Sequence, residues 1–156
     1  MSENADIVQL HTACECIVRV ANAPASEAIQ LSHKGCQLTI RGALLAIDCD
    51  RCSAFGPSDT KPDLLVLRRT ESGLEWLVVE IKQVMDSGAR QQVRAGIDRL
   101  YDSAMFEPTR DASCGGLFAS KKANRTADVD ALRKPFARGG RRIEARVVRC
   151  GSGLRL

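Results

Sequence analysis

Two apolar stretches, Pro62 to Arg69 (P-D-L-L-V-L-R-R) and Leu74 to Lys82 (L-E-W-L-V-V-E-I-K), carry two carboxylates and a lysine that could act together: Asp63, Glu80 and Lys82. The intervening Thr70-Glu71-Ser72-Gly73 has the composition of a turn, so the two stretches read as an antiparallel hairpin. With the turn centred between Glu71 and Ser72, Asp63 falls directly opposite Glu80, their Cβ atoms ~5 Å apart. Lys82 follows two residues later on the same face. Two carboxylates at that separation repel by about 3 kcal/mol at an effective dielectric of about 20. A positive charge must compensate; Lys82 supplies one and a divalent cation supplies more. Carboxylate oxygens on rigid neighbouring strands suit a hard ion such as Mg²⁺ or Mn²⁺, which leaves its other positions to water and phosphate. The chemistry implied is metal-assisted phosphoryl transfer. An isolated E-x-K on a strand is more often an exposed charge pair; the complete pattern is what points to a site.

These strands need neighbours to hold them. After them, Asp86 or Ser87 can cap a helix in which Val93, Ile97, Leu100, Tyr101 and Ala104 recur at helical spacing. Cys114 to Ala119 and Arg142 to Val148 read as further strands, with a short helix from Asp128 to Arg133 between them and a turn at Gly139-Gly140. Before the hairpin, Gln37 to Asp48 is apolar and β-compatible, with Gly42 a turn or bulge between two short strands, and Asp50 to Lys61 reads as loop. Residues 4 to 20 place Ile7, Leu10, Cys14, Ile17 and Val18 at helical spacings, and Ala25 to His33 suggests a second short helix ended by Gly35. The expectation is one α/β domain over residues 1–156, a central mixed sheet flanked by helices, with a core at about 37–119 and a basic part at 121–156.

Pro62-Asp63, sixteen intervening residues, then Glu80-Ile81-Lys82, on two apolar strands followed by a helix, resembles the PD-(D/E)xK nuclease superfamily. The resemblance implies a restriction-endonuclease-like fold and hydrolysis of phosphodiester bonds in DNA. By the same resemblance, Asp63 and Glu80 bind Mg²⁺, the carbonyl of Ile81 completes the metal's protein ligands, and Lys82 positions or activates the attacking water. A supporting Gln on the following helix is similar to Gln92 in Q-V-R-A-G, with Gln91 as the alternate. RecB-type domains carry a Tyr four residues after that Gln, where this chain has Gly96. For an additional acidic residue, Glu27 is the candidate from the first helix, and Asp48 and Asp50 compete from before the hairpin.

Seven cysteines are an odd number and too sparse for a disulfide framework, so free thiols or a metal site are expected. Cys14, Cys16, Cys49 and Cys52 could form a four-thiolate zinc site, although Cys14 also fits the apolar stripe of its own segment. Trp76 shares strand parity with Glu80 and could stack a base, but a lone aromatic on a strand is more often core.

Across the whole chain, 44% hydrophobic and 27% charged residues fit a globular domain. The longest apolar run, Ala43 to Ile47, is far short of the ~18 residues needed to span a bilayer, and no basic start or apolar leader precedes it, so a cytoplasmic protein without a membrane partner is expected. Both histidines, His11 and His33, lie early, which disfavours a Ser-His-Asp hydrolase. Residues 121–156 hold 11 of the 23 basic and 3 of the 19 acidic side chains, a net of +8 (11 − 3). Lys121, Lys122, Arg125, Arg138, Arg141 and Arg142 are therefore expected to contact the phosphates of a nucleic acid. Two rivals stand beside the nuclease: a non-catalytic nucleic-acid-binding or assembly module of the same fold, and a zinc-stabilised interaction protein. A pure binder gains nothing from carboxylates facing phosphates. The need for a homodimer or a partner subunit is left open.

Overall fold

A computed structural model describes residues 17–20, 25–151 and 153–154. Its main sheet has six strands: β1 (Ile17–Val20), β4 (Ala43–Asp48), β5 (Leu64–Thr70), β6 (Gly73–Lys82), β7 (Ser113–Ser120) and β10 (Ala145–Arg149), in the order β1-β4-β5-β6-β7-β10. The first four pair antiparallel; β6 with β7 and β7 with β10 pair parallel. A parallel neighbour requires a crossover. Helix α1 (Ala89–Asp102) provides it between β6 and β7, with a short 3₁₀ turn over Ala104–Thr109.

The apolar runs Leu64–Leu67 and Leu77–Val79 are continuous because both faces of the sheet are covered. Leu65, Leu67, Trp76 and Val78 pack with Val93, Ile97 and Leu100 of α1. Leu64, Val66, Leu77, Val79 and Ile81 pack on the other face against Leu31, Leu38 and Ile40. Those three belong to a smaller sheet formed by β2 (Ala28–His33), β3 (Cys36–Arg41) and β11 (Gly153–Leu154). The main sheet is thus flanked by helix on one face and by a second sheet on the other.

Several expectations need correction. The helix expected over 25–33 is strand β2, because Ile29, Leu31 and His33 alternate with polar residues and pair across to Ile40, Leu38 and Cys36. Lys34 and Gly35, at φ 50° and 75°, make the two-residue hairpin turn between them, so Gly35 serves a strand and not a helix end. Of the helix expected over 4–20, residues 17–20 form strand β1, and the rest, with Cys14 and Cys16, lies outside the described residues. The N-cap of α1 is Gly88, not Asp86 or Ser87; Asp86 instead accepts from the Gly88 N–H at 3.0 Å. The final expected strand is two, β9 (Arg141–Ile143) and β10, separated at Glu144. Between β7 and β9 lie α2 (Thr126–Leu132) and β8 (Phe136–Arg138), which pairs with β9 through the Gly139-Gly140 turn.

The expectation of unbridged thiols also fails at one pair: Cys36 and Cys150 form a disulfide, Cα to Cα 5.1 Å, that ties the start of β3 to the residue after β10. Cys49 and Cys52 are buried in the apolar cluster beneath α1, and burial is the main reason both thiols are raised above their usual pKa. No helix among the described residues is long and apolar enough to cross a membrane.

Candidate functional site

Leu64 pairs with Val79 across the β5–β6 hairpin, and the Asp63 N–H donates to the Val79 carbonyl at 3.0 Å, so the register set by the Glu71-Ser72 turn carries through to the site. Asp63, one residue before β5, therefore meets Glu80 at the end of the sheet where β6 leads on towards α1. Glu80 shares the parity of Trp76 and Val78, the face covered by α1.

Glu80 is only 1% exposed. Its Oε1 is buried and receives no hydrogen bond, while Oε2 lies 3.7 Å from the Lys82 ammonium. Burial, reinforced by the hydrogen bond and charge of Asp63, pushes its pKa up to about 9. Asp63 moves the other way. Burial favours its neutral form, but hydrogen bonds from Glu80, from Lys34 and from the Ile81 N–H (2.7 Å to Oδ2), with the Lys34 charge, hold its pKa below the ordinary carboxylate value. The pair thus shares one proton: Glu80 carries it and Asp63 is ionised, as expected when two carboxyls are too close to ionise together.

Lys82 also pairs with Asp86 at 3.2 Å. Asp63 lines a cavity of about 410 Å³ together with Lys34, Asp50, Lys61, Gln91 and Gln92. Gln92 donates to the Lys61 carbonyl at 3.4 Å, so α1 brings both expected glutamines to the cavity wall. Asp50 lies 3.3 Å from the Lys34 ammonium and 3.8 Å from that of Lys61. Asp48 caps the 3₁₀ turn at Cys49–Arg51 through the Asp50 N–H, and Glu27 is exposed before β2, about 20 Å along the strand from its Lys34 end. Neither joins the carboxylate pair. Trp76 is core, edge-on to Phe106 and donating to Thr109.

Lys34 and Lys61 were not among the expected site residues. Lys61 could have been noticed as the cation just before Pro62-Asp63. Lys34 is 29 residues from Asp63, and only recognition of the β2–β3 turn would have placed it there.

The basic residues divide. Lys121 and Lys122 follow β7 at the site end of the sheet, their N–H groups donating to the carbonyls of Lys82 and Gln83. Arg138 is engaged by Asp98 and Asp102 near the far end of α1, Arg142 by Glu144, and Arg125 by Asp128; Arg141 is exposed on β9.

A divalent cation fits the site. Glu80 Oε1, buried and without a hydrogen bond, stands beside the ionised Asp63, so the two offer oxygen donors of the kind a hard cation takes, with Glu80 giving up its proton on binding. Asp63, Glu80 and the Ile81 carbonyl are the residues that would hold it. Among the described residues no three His, Cys, Asp or Glu side chains gather as a metal site, so a cation here would have two side-chain ligands and take its other donors from the Ile81 carbonyl, water or substrate. No family model matches the chain, and neither a curated protein nor a solved structure is significantly similar to it.

Proposed function

We propose that the chain is a Mg²⁺-dependent nuclease that hydrolyses phosphodiester bonds in DNA, with a restriction-endonuclease-like fold and a PD-(D/E)xK site. One observation carries this reading: Glu80, wholly buried with an unbonded Oε1, faces an ionised Asp63 and has Lys82 beside it. A protein that needed only a stable sheet would place apolar residues here. Burying two carboxyls together costs stability that a bound cation would return. The mixed sheet, with the motif on adjacent central strands and a helix directly after it, supports the fold assignment.

When bound, Mg²⁺ would supply Lewis-acid charge to a phosphodiester. The remaining work falls to the chain. Asp63 and Glu80 fix the cation's place through the rigid β5–β6 pairing. Lys82, with its ammonium between Glu80 and Asp86, orients the attacking water and offsets negative charge developing on the phosphate. Gln91 and Gln92 offer amide groups to the substrate from the cavity wall.

Cleavage of labelled duplex, branched and single-stranded DNA and of RNA, with Mg²⁺ or Mn²⁺, tests the proposal. Asp63→Ala and Glu80→Ala are each expected to reduce cleavage by on the order of 100-fold or more while circular dichroism stays native. Parental rates in either variant would show the site to be elsewhere.

A further inference from the structure

The β2–β3 turn reaches the carboxylates from the other face of the sheet, and its construction is specific. Lys34 is the one described non-glycine residue with positive φ, a backbone that favours Gly or Asn over Lys. From that position its ammonium reaches Asp63 Oδ1 and, at 3.3 Å, Asp50 Oδ2. The tip is held on several sides. Leu31, Leu38 and Ile40 are buried against the main sheet, and Cys36, two residues past Lys34, is bonded to Cys150. A Cβ on Gly35 would stand 3.2 Å from the Lys121 ammonium, so that lysine's side chain lies alongside the turn. Even so, the Lys34 side chain is 46% exposed and opens on the cavity shared with Lys61, Gln91 and Gln92.

We propose that Lys34 is a phosphate-positioning residue with two successive partners: Asp63 in the metal-free protein, and a phosphate oxygen of the polynucleotide once Asp63 holds a divalent cation. The inference rests on the reading of Asp63 and Glu80 as metal ligands. A carboxylate that gives its charge to a cation no longer neutralises a neighbouring ammonium, and the stapled hairpin keeps the Lys34 backbone beside the cavity, so the ammonium stays within reach of whatever anion enters it. Lys34 therefore opposes entry of the cation when nothing else is bound and favours the anionic substrate afterwards. The two effects have opposite signs, and a lysine serving only the fold would not produce both.

The test uses the full chain. Lys34→Asn suits the left-handed turn and removes the charge, Lys34→Met is a second neutral variant, and Lys34→Arg restores the charge. Calorimetric titration with Mg²⁺ alone is expected to show several-fold tighter binding in both neutral variants. Fluorescence anisotropy of a labelled DNA duplex in Ca²⁺, across a salt series, is expected to show weaker binding and a salt slope reduced by ~0.9 in the neutral variants, restored by Lys34→Arg. Unchanged or weaker Mg²⁺ binding, or an unchanged slope, overturns the role of Lys34 alone. Parental chain that binds no Mg²⁺, or Asp63→Ala that binds it as well as the parent, overturns the metal site itself and this inference with it.

Discussion

At neutral pH Glu80 keeps its proton in the metal-free protein, because burial and then Asp63 raise its pKa to about 9. In the unfolded chain a glutamate titrates near 4.3, so between roughly pH 4.5 and 9 the folded state binds more protons than the unfolded one. This contribution to stability is complete below the unfolded pKa and is lost as pH rises through the folded one. Asp63, lowered, adds stability that disappears only when pH falls below the ordinary carboxylate range, and Lys34, raised, titrates above that of an ordinary lysine. Neither slopes between pH 5 and 9. Melting temperatures in EDTA are expected to fall steadily between pH 5 and 8 for the parent and to fall much less for Glu80→Gln; above that range the buried thiols, also raised, contribute in both proteins. Equal slopes in the two proteins would mean that Glu80 does not hold the proton.

Helix α1 comes very close to the site strands at Gly96, where a Cβ would stand 2.5 Å from Val78 Cγ1 and 2.7 Å from Pro62 Cγ. Pro62 immediately precedes Asp63, and Val78 lies two residues before Glu80, so this contact fixes the helix against both halves of the carboxylate pair. Gly96→Ala gains up to about 1 kcal/mol of helix propensity but incurs about 1–3 kcal/mol of overpacking. A lower melting temperature together with weaker Mg²⁺ binding is expected, and a more stable protein with parental Mg²⁺ affinity would contradict the close fit. Any side chain at this position, a tyrosine included, would meet Val78 and Pro62 first.

The register of β5 with β6 was legible because a short turn joins two unbroken apolar runs, and that register alone brings Asp63 to Glu80. The β2–β3 hairpin was less legible. Ala, Glu, Gln and Leu in residues 25–33 favour helix, and the competing period of two in Ile29, Leu31 and His33 is weak until β3 pairs with it. Lys34 was invisible for that reason, and the clearance at Gly96 was hidden because nothing local in a sequence reports how closely a helix approaches a sheet.

Across the molecule, positive charge lies at both ends of α1, which is about 20 Å long. Lys34, Lys61, Lys82, Lys121 and Lys122 gather at the site end, whereas Arg138 is bound to Asp98 and Asp102 at the other and lies 5.5 Å from the Tyr101 ring centre. Neutralising Lys121 and Lys122 together is expected to lower the salt slope of DNA binding by up to about 2, at ~0.9 for each lost phosphate contact. Neutralising Arg141 and Arg142 is expected to leave that slope near the parental value. Fluorescence titrations over a salt series compare the two pairs directly, and the reverse ranking would place the DNA path along the β8–β9 hairpin.

The central sheet also sorts the cysteines. Cys36 and Cys150 belong to one face, while Cys49, Cys52 and Cys114 belong to the cluster under α1. The two bonded residues are 114 positions apart, so on a ribosome adding ~5–20 residues per second Cys36 waits on the order of ten seconds for its partner. During that wait, three other cysteines of the described chain emerge and could compete for it. The partition becomes physical only when β4 to β7 have assembled and closed the α1 face over their thiols. The Cys36–Cys150 bond is therefore a late event in the life of a newly made chain, and the tip carrying Lys34 is the last part of the site to be tied down.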